Sequence, residues 1–391
     1  MPYSARHFDV LPGARQAKAL LSELADVSCT IGPIAADRPL TLYGAGNLGR
    51  LARDYLKSVR HDFAVAIDRD ADRLAGDPEW AGVRVLTPDA VPDDVKRGTR
   101  LAVSVVTSPY VPLAELLVAG GFADVVPFYD IAESFRYLHP LSNGWFAAPL
   151  TTEDRDNTTA VLTGWDDDVS RAHHLQFLAW RRLREEWSFT GAPIANDNRF
   201  FIPEVRRALH NDEVFVDAGA HHGGVSEAFA RSVGAFRKII AIEPDPVSRT
   251  RLVDTLHKLK DSVHAVVYDC ALSDEEGEAL FHGGLDYASQ LSATGRLRVM
   301  RRRLDALDLA PTFIKLHLEG AELAALKGAR ATLLKHRPIV TATVYHNDDG
   351  IWRTALWLMR TLPDYRFLFR VHSWCGTGAV IYAIPNERGA A

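Results

Sequence analysis

VFVDAGAHHGGVSEAFARSV, residues 214–233, is the stretch on which the fold turns. Val214–Val216 form a short apolar run of the buried-strand kind, and the run ends on Asp217. Gly219 and the pair Gly223–Gly224 then turn the chain into a helix, with Ala220 inside the same turn. Glycine lets the backbone approach a ligand where a Cβ would intrude. A strand end meeting a helix N-terminus is where open α/β sheets bind nucleotides.

The next strand pattern, IIAIEPDP at 239–246, ends on Glu243. A carboxylate there can accept both hydroxyl hydrogens of an adenosine ribose. The turn departs from G-x-G-x-x-G, so a phosphate cradle is not favoured. A turn opened by an acid suits a sulfonium cation better, which points to S-adenosylmethionine. An ordinary parallel sheet also needs glycine turns and strand-end acids, so these features alone define only a nucleotide-like pocket.

Outward from this point, apolar runs alternate with helical patterns in two stretches. The first has strand candidates Leu40–Tyr43, Phe63–Ile67, Val83–Leu86, Leu101–Val106 and Val125–Phe128. The second has Val214–Asp217, Lys238–Ile242, His264–Tyr268, Phe313–Leu318, Ile339–Tyr345 and Val380–Ala383. Such alternation implies α/β architecture: two Rossmann-like parallel-sheet domains. The middle carries Trp145, Trp165, Trp180 and Trp187, the polar run TTEDRDNTT and a helical pattern over Ser170–Glu186. It is expected to be a helical connector that supplies wall residues to a site. The expected division is residues 1–130, 131–211 and 212–391.

The segment PTFIKLHLEGAELAALKGARATLLKHRP, 311–338, adds a strand closed by Glu319 and Gly320 and a helix opened by Ala321. Together with VDAGAHHGG, IEPDP, DCALSDEEGE (269–278) and the closing stretch from VYHNDDG to AVIYAIP, it resembles the FkbM family of methyltransferases. The resemblance is dense over about 213–385 and looser before. It implies a seven-stranded class I S-adenosylmethionine-dependent fold that methylates a hydroxyl on a sugar, glycan or secondary metabolite. By motif match, Asp217, Gly219 and Glu243 fall at donor positions, with Ala220 and Gly223 in the same turn and Asp269 near the adenine. The chain departs from the family in two places. His317 stands where the family's strand motif usually carries Asp, and His221 or His222 where near relatives carry an acid. Both exchanges replace carboxylate by imidazole, so a carboxylate mechanism or metal site does not carry over.

Methylating an alcohol needs a base for its proton. The candidates at strand ends are Glu319, His317 and His346, in that order. Each has a structural reading too: Glu319 as a helix cap, His317 as a buried hydrogen-bonded histidine, and His346 as part of the turn YHNDD. A metal on His346, Asp348 and Glu319 matches no known spacing, and none is expected. Arg370 and His372 are substrate candidates from their late position. The run RLRVMRRRL, 296–304, reads as a solvated edge or as a partner for phosphate on the acceptor.

The first half has its own glycine turn. LYGAGNLGR places Gly44, Gly46 and Gly49 in a true G-x-G-x-x-G between strand and helix, and Asp68 ends the next strand candidate. This keeps a nicotinamide-dependent oxidoreductase or epimerase open as a rival, as His317 keeps open a non-catalytic binding module. Neither Ser108 nor Tyr110 in VVTSPYVP makes a hydride-transfer site. Net charge −5 at 391 residues argues against a nucleic-acid partner. Cys29, Cys270 and Cys375 form no pair at metal-ligand spacing, which suits a reducing compartment. With no signal-peptide pattern or membrane-length apolar run, a cytoplasmic protein acting on a small-molecule or saccharide acceptor is expected. Oligomeric state is not legible.

Overall fold

The computed structural model describes residues 3–27, 31–74, 76–139, 141, 144–259, 264–284 and 288–388. Cys29 lies outside them; Cys270 and Cys375 are buried free thiols. After β1 (Ser4–Phe8) and α1 (Ala14–Asp26), the first αβ unit runs β2 (Leu40–Tyr43), α2 (Asn47–Ser58), β3 (Phe63–Ile67), α3 (Ala71–Leu74), β4 (Val85–Leu86), α4 (Asp93–Gly98), β5 (Arg100–Val103), α5 (Tyr110–Ala119) and β6 (Val125–Pro127). Its five strands are all parallel, in the order β4-β3-β2-β5-β6.

The middle holds α6 (Phe128–Ala132), α7 (Thr152–Gly164), α8 (Asp168–Leu183), β7 (Glu185–Phe189) and α9 (Pro203–Ala208). Here the expected helix over Ser170–Glu186 is corrected. It starts earlier, where the Asp167 carboxylate caps Ser170 N–H at 2.7 Å, and stops at Leu183 because Arg184 is left-handed (φ 55°). The Arg184 guanidinium is buried against both carboxylate oxygens of Asp130, at 3.1 and 2.9 Å. Glu185 onward then pairs in parallel with β1, where Phe8 stacks on Phe189 at 4.5 Å.

The second αβ unit runs β8 (Val214–Ala218), α10 (Gly224–Val233), β9 (Lys238–Ile242), α11 (Pro246–His257) and β10 (Ala265–Tyr268). A small sheet follows, from β11 (Cys270–Leu272), β12 (Gly277–His282), β13 (Gln290–Leu291) and β14 (Leu297–Arg302). The chain closes with β15 (Phe313–Leu316), α12 (Glu322–Lys327), α13 (Arg330–His336), β16 (Ile339–Thr343), α14 (Gly350–Thr361), β17 (Tyr365–Val371) and β18 (Ala379–Pro385). The main sheet has seven strands in the order β10-β9-β8-β15-β16-β18-β17; β18 is antiparallel to both neighbours and the rest are parallel. β17 was not among the strand candidates, and β15 and β16 end two residues earlier than the apolar runs suggest. His317, Leu318, Val344 and Tyr345 leave the ladder at the sheet's C-terminal edge, where a site can form.

One core joins the middle segment to this sheet: α1, α7 and α8 pack on the face carrying Val216, Ile240, Ile314 and Phe369. The Ser170 hydroxyl accepts from Phe369 N–H at 2.9 Å and fastens α8 to β17. No helix among the described residues is long and apolar enough to cross a membrane.

Lys315 and Asp217, side by side on β15 and β8, form a buried ion pair at 2.9 Å. Removing one member of such a pair strands the other charge. Lys315→Met is expected to cost about 3–5 kcal/mol in chemical denaturation, and adding Asp217→Asn to it should recover part of that loss.

Candidate functional site

The glycine turn after β8 is packed hard against β15. Gly219 has φ +72°, and a Cβ on it would lie 2.0 Å from the His317 carbonyl oxygen. Only glycine allows β8 and β15 to come this close. Glu243, at the end of β9, is buried; its two oxygens accept from His221 N–H at 2.7 Å and Asp245 N–H at 2.9 Å. Burial raises its carboxyl, and these two amides pull against that rise. A cavity of about 350 Å³ opens beside the turn, lined by Gly219, Ala220, Gly224 and Glu243 with apolar groups such as Ile242 and Leu291. A Cβ on Gly224 would meet nothing within 4 Å.

Other expected donor residues stand elsewhere. Asp217 does not line the cavity; it sits behind the turn, bonded to Lys315 Nζ and to the Ser226 hydroxyl at 2.7 Å. Gly223 is the left-handed N-cap of α10, packed against Leu252 and Thr255, and its neighbour Gly224 takes the wall position. Asp269 is not on the wall, although Cys270, Ala271 and Leu272 are.

The three base candidates converge. Glu319 Oε1 lies 3.1 Å from His317 Nε2, and Glu319 Oε2 lies 3.0 Å from His346 Nε2. Glu319 is held at φ +51°, a left-handed conformation unusual outside glycine. Glu319 does not cap α12, whose N-terminus has no side-chain cap, and the loop before it is held by Glu322. Its carboxylate accepts from Leu318 N–H (2.9 Å), Gly320 N–H (3.0 Å) and the Thr343 hydroxyl (2.7 Å). This leaves Glu319 free to face the imidazoles. Burial, then the charge of Glu322, pushes the Glu319 carboxyl well above its usual range, with Arg199 and Lys315 opposing. Burial and the nearby cations depress His317 well below the ordinary imidazole value, and His346 is depressed mainly by burial. At neutral pH the His317 imidazole is therefore neutral. One ligand atom from each of His317, Glu319 and His346 lies within 4.8 Å of the others, close enough to hold a metal ion. Spacing alone did not reveal that set, which replaces Asp348 by His317.

Two further residues escaped sequence reasoning. Arg199 Nη2 donates to the Tyr345 hydroxyl at 2.6 Å, and that hydroxyl lies 3.0 Å from His317 Nε2. Arg199 sits in the polar turn NDNRFF (196–201), whose only signal was a cation beside two aromatics. A second cavity of about 760 Å³ reaches from the first glycine turn to this cluster; Arg199, His317 and Glu319 line both cavities. His372 lines the larger one with both nitrogens engaged, against Ala195 O (2.7 Å) and Tyr382 Oη (2.6 Å), and burial takes its pKa down to about 4. Arg370 is not on either wall; it is bonded to Asp167 and Glu204 and locks β17 to the middle segment. Arg298, Arg301 and Arg302 pair with Glu278, Glu275 and Glu276 along the small sheet.

An open sheet whose glycine turn and strand-end acid border an apolar pocket is a nucleotide-type architecture. Residues 217–369 match the family described as the methyltransferase FkbM domain. Among solved structures, the methyltransferase FkbM from Methylobacillus flagellatus KT aligns over 95% of this chain and 100% of its own, at 17% identity and TM-score 0.59. The precorrin-6y C5,15-methyltransferase from Geobacter metallireducens covers 46% of this chain and 84% of its own (15% identity, TM-score 0.30). An rRNA methylase from Streptococcus thermophilus covers 48% and 96% (12% identity, TM-score 0.33). No curated protein matches the chain.

Because Glu322 satisfies three donors in the loop that carries Glu319, Glu322→Ala should lower unfolding free energy by about 2–4 kcal/mol. Glu322→Gln, which retains an acceptor oxygen, should cost less in the same denaturation measurement.

Proposed function

We propose that the protein is an S-adenosylmethionine-dependent O-methyltransferase acting on a hydroxyl of a sugar, glycan or related metabolite. The observation that carries this reading is the position of His317 and Glu319 on the walls of both cavities. A donor in the smaller cavity and an acceptor in the larger one meet at the same proton-accepting cluster. Gly219, Ala220, Gly224 and Glu243 would hold the donor, with Glu243 facing its ribose. The pocket fits that group: it is mostly apolar, has one buried acid at a strand end, and leaves open space where a Cβ on Gly224 would stand. When bound, S-adenosylmethionine supplies a methyl group activated by its sulfonium sulfur.

The chain's own task is to place the hydroxyl in line and to remove its proton. Glu319 is the base on this reading. A carboxyl raised by burial is a stronger base, and its two oxygens already face two imidazole nitrogens. Glu319 would take the acceptor hydroxyl's proton, leaving its oxygen as the nucleophile for the methyl group that the donor would supply. Arg199 and Tyr345 position His317 beside it. Polar groups on the larger wall, among them Asn47, Ser104 and Asn196, suit a polyhydroxyl acceptor.

Two outcomes test the halves of this reading. Calorimetry with S-adenosylhomocysteine should find Glu243→Ala weakened at least about tenfold, with Asp68→Ala unchanged; the reverse pattern would move the donor to the wrong unit. For the base, kcat/KM should rise with pH along a limb lying above the ordinary carboxylate range, as Glu319 loses its proton. Glu319→Gln should abolish that limb and lower kcat by about 10²–10⁴-fold. A retained limb at full rate would reassign the proton to an imidazole.

A further inference from the structure

The larger cavity starts at a second nucleotide-type cradle that the methyl-donor reading leaves unused. We infer that this cradle binds a nucleoside diphosphate carried by the acceptor, so that the substrate is a nucleoside-diphosphate sugar whose hydroxyl reaches Glu319. This specifies the acceptor of the activity proposed above and rests on that reading.

The two turns are constructed alike. Gly44 N–H donates to Ile67 O at 2.8 Å, as Gly219 N–H donates to Ile242 O at 3.0 Å. Asp68 accepts from Ala45 N–H (2.7 Å) and Asp70 N–H (2.9 Å), as Glu243 does from His221 and Asp245. Gly44 has φ +98°, and a Cβ there would press on Val105 and on the Ser104 carbonyl of the strand beside it. Each turn stands where strand order reverses, between β2 and β5 or between β8 and β15. That is where open α/β sheets bind nucleotides.

The first turn has in addition the features of a phosphate site. A Cβ on Gly49 would fall 2.0 Å from Gly44 O, so α2 is pressed against the turn. A Cβ on Gly46 would meet nothing within 4 Å, and no side chain caps α2. The first N–H groups of α2 and its positive dipole end are thus left for an anion. Gly46, Asn47 and Arg69 line the same cavity as Glu319 and His346. On the wall of this cavity the Trp145 indole N–H is buried with no hydrogen-bond partner among the described residues. A volume of about 760 Å³ lies within the size of small-ligand sites. A nicotinamide dinucleotide filling it would exclude an acceptor from Glu319, whereas a nucleoside-diphosphate sugar uses both the cradle and Glu319.

The test is calorimetry of the full chain saturated with S-adenosylhomocysteine, titrated in turn with UDP-glucose, GDP-mannose, dTDP-glucose, free glucose, NAD and NADP. At least one nucleotide sugar should bind and free glucose should not. Gly46→Val should weaken that binding at least about tenfold, while S-adenosylhomocysteine affinity stays within about twofold of wild type. If Gly46→Val fails to fold, Arg69→Ala should show a smaller loss with the donor affinity again retained. Donor binding with no nucleotide-sugar binding, or with NAD or NADP bound instead, overturns the acceptor assignment alone. Nucleotide-sugar affinity unchanged in both variants overturns it too. Failure of S-adenosylhomocysteine to bind overturns the donor reading and this inference with it.

Discussion

The Lys315 ammonium is the fixed point from which both sides of the site are measured. Buried in the sheet, it bonds Asp217 Oδ1 at 2.9 Å and the Gly219 carbonyl at 2.8 Å. Burying two charges is costly unless they are paired and their remaining valences filled. Here the carbonyl of the glycine turn and the Ser226 hydroxyl fill them. The result ties the turn beside the donor cavity to the strand that carries, two and four residues on, His317 and Glu319. The contact of Gly219 with the His317 carbonyl depends on the same registry.

The middle segment sets the spacing of the two αβ units in the same physical way. One face of α8 packs on β17, while Trp180 on the other stacks with Tyr3 at 6.0 Å and meets Tyr110 edge-on at 5.7 Å. Arg184 and Asp130 close the junction with a buried bidentate pair. Arg199, from the same segment, reaches the Tyr345 hydroxyl. A connector that fixes both units and contributes to the site explains why one cavity can run from Gly46 to Glu319.

Much of this was legible because local pattern and fold agree. Buried parallel strands read as apolar runs, and glycine turns with strand-end acids mark their C-terminal edges. What local pattern cannot show is a partner distant in sequence. Asp217 reads as a donor acid until Lys315, 98 residues away, is seen to occupy it. Glu185 and Glu186 continue a helical pattern, yet β1, far back in the chain, draws them into a strand. β17 is an edge strand interrupted by the half-buried Arg366 and Arg370, without the continuous apolar run that marks the others. Arg199 carries no motif at all.

The chemistry turns on how two neighbouring glutamates are made unequal. Both are largely withdrawn from water, Glu322 fully buried and Glu319 partly so, which alone would raise both carboxyls. For Glu322 that rise is more than offset by the His346 ring beside it and by hydrogen bonds from Thr343 and the Leu318 amide, so its charge is retained. Among the described residues Glu319 has no such backbone donors, and it faces the charge of Glu322, so its proton is held more tightly. Pairs of acids driven apart by their surroundings separate a structural role from a proton-transfer role. An Asp at position 317 would have added a third carboxylate to this group and raised Glu319 further. Imidazole there instead supplies a neutral partner at 3.1 Å, compatible with Glu319 either protonated or ionised. The exchange that removes a carboxylate from the sequence motif thus leaves the cluster a single basic carboxylate, with its structural companion two positions beyond Gly320.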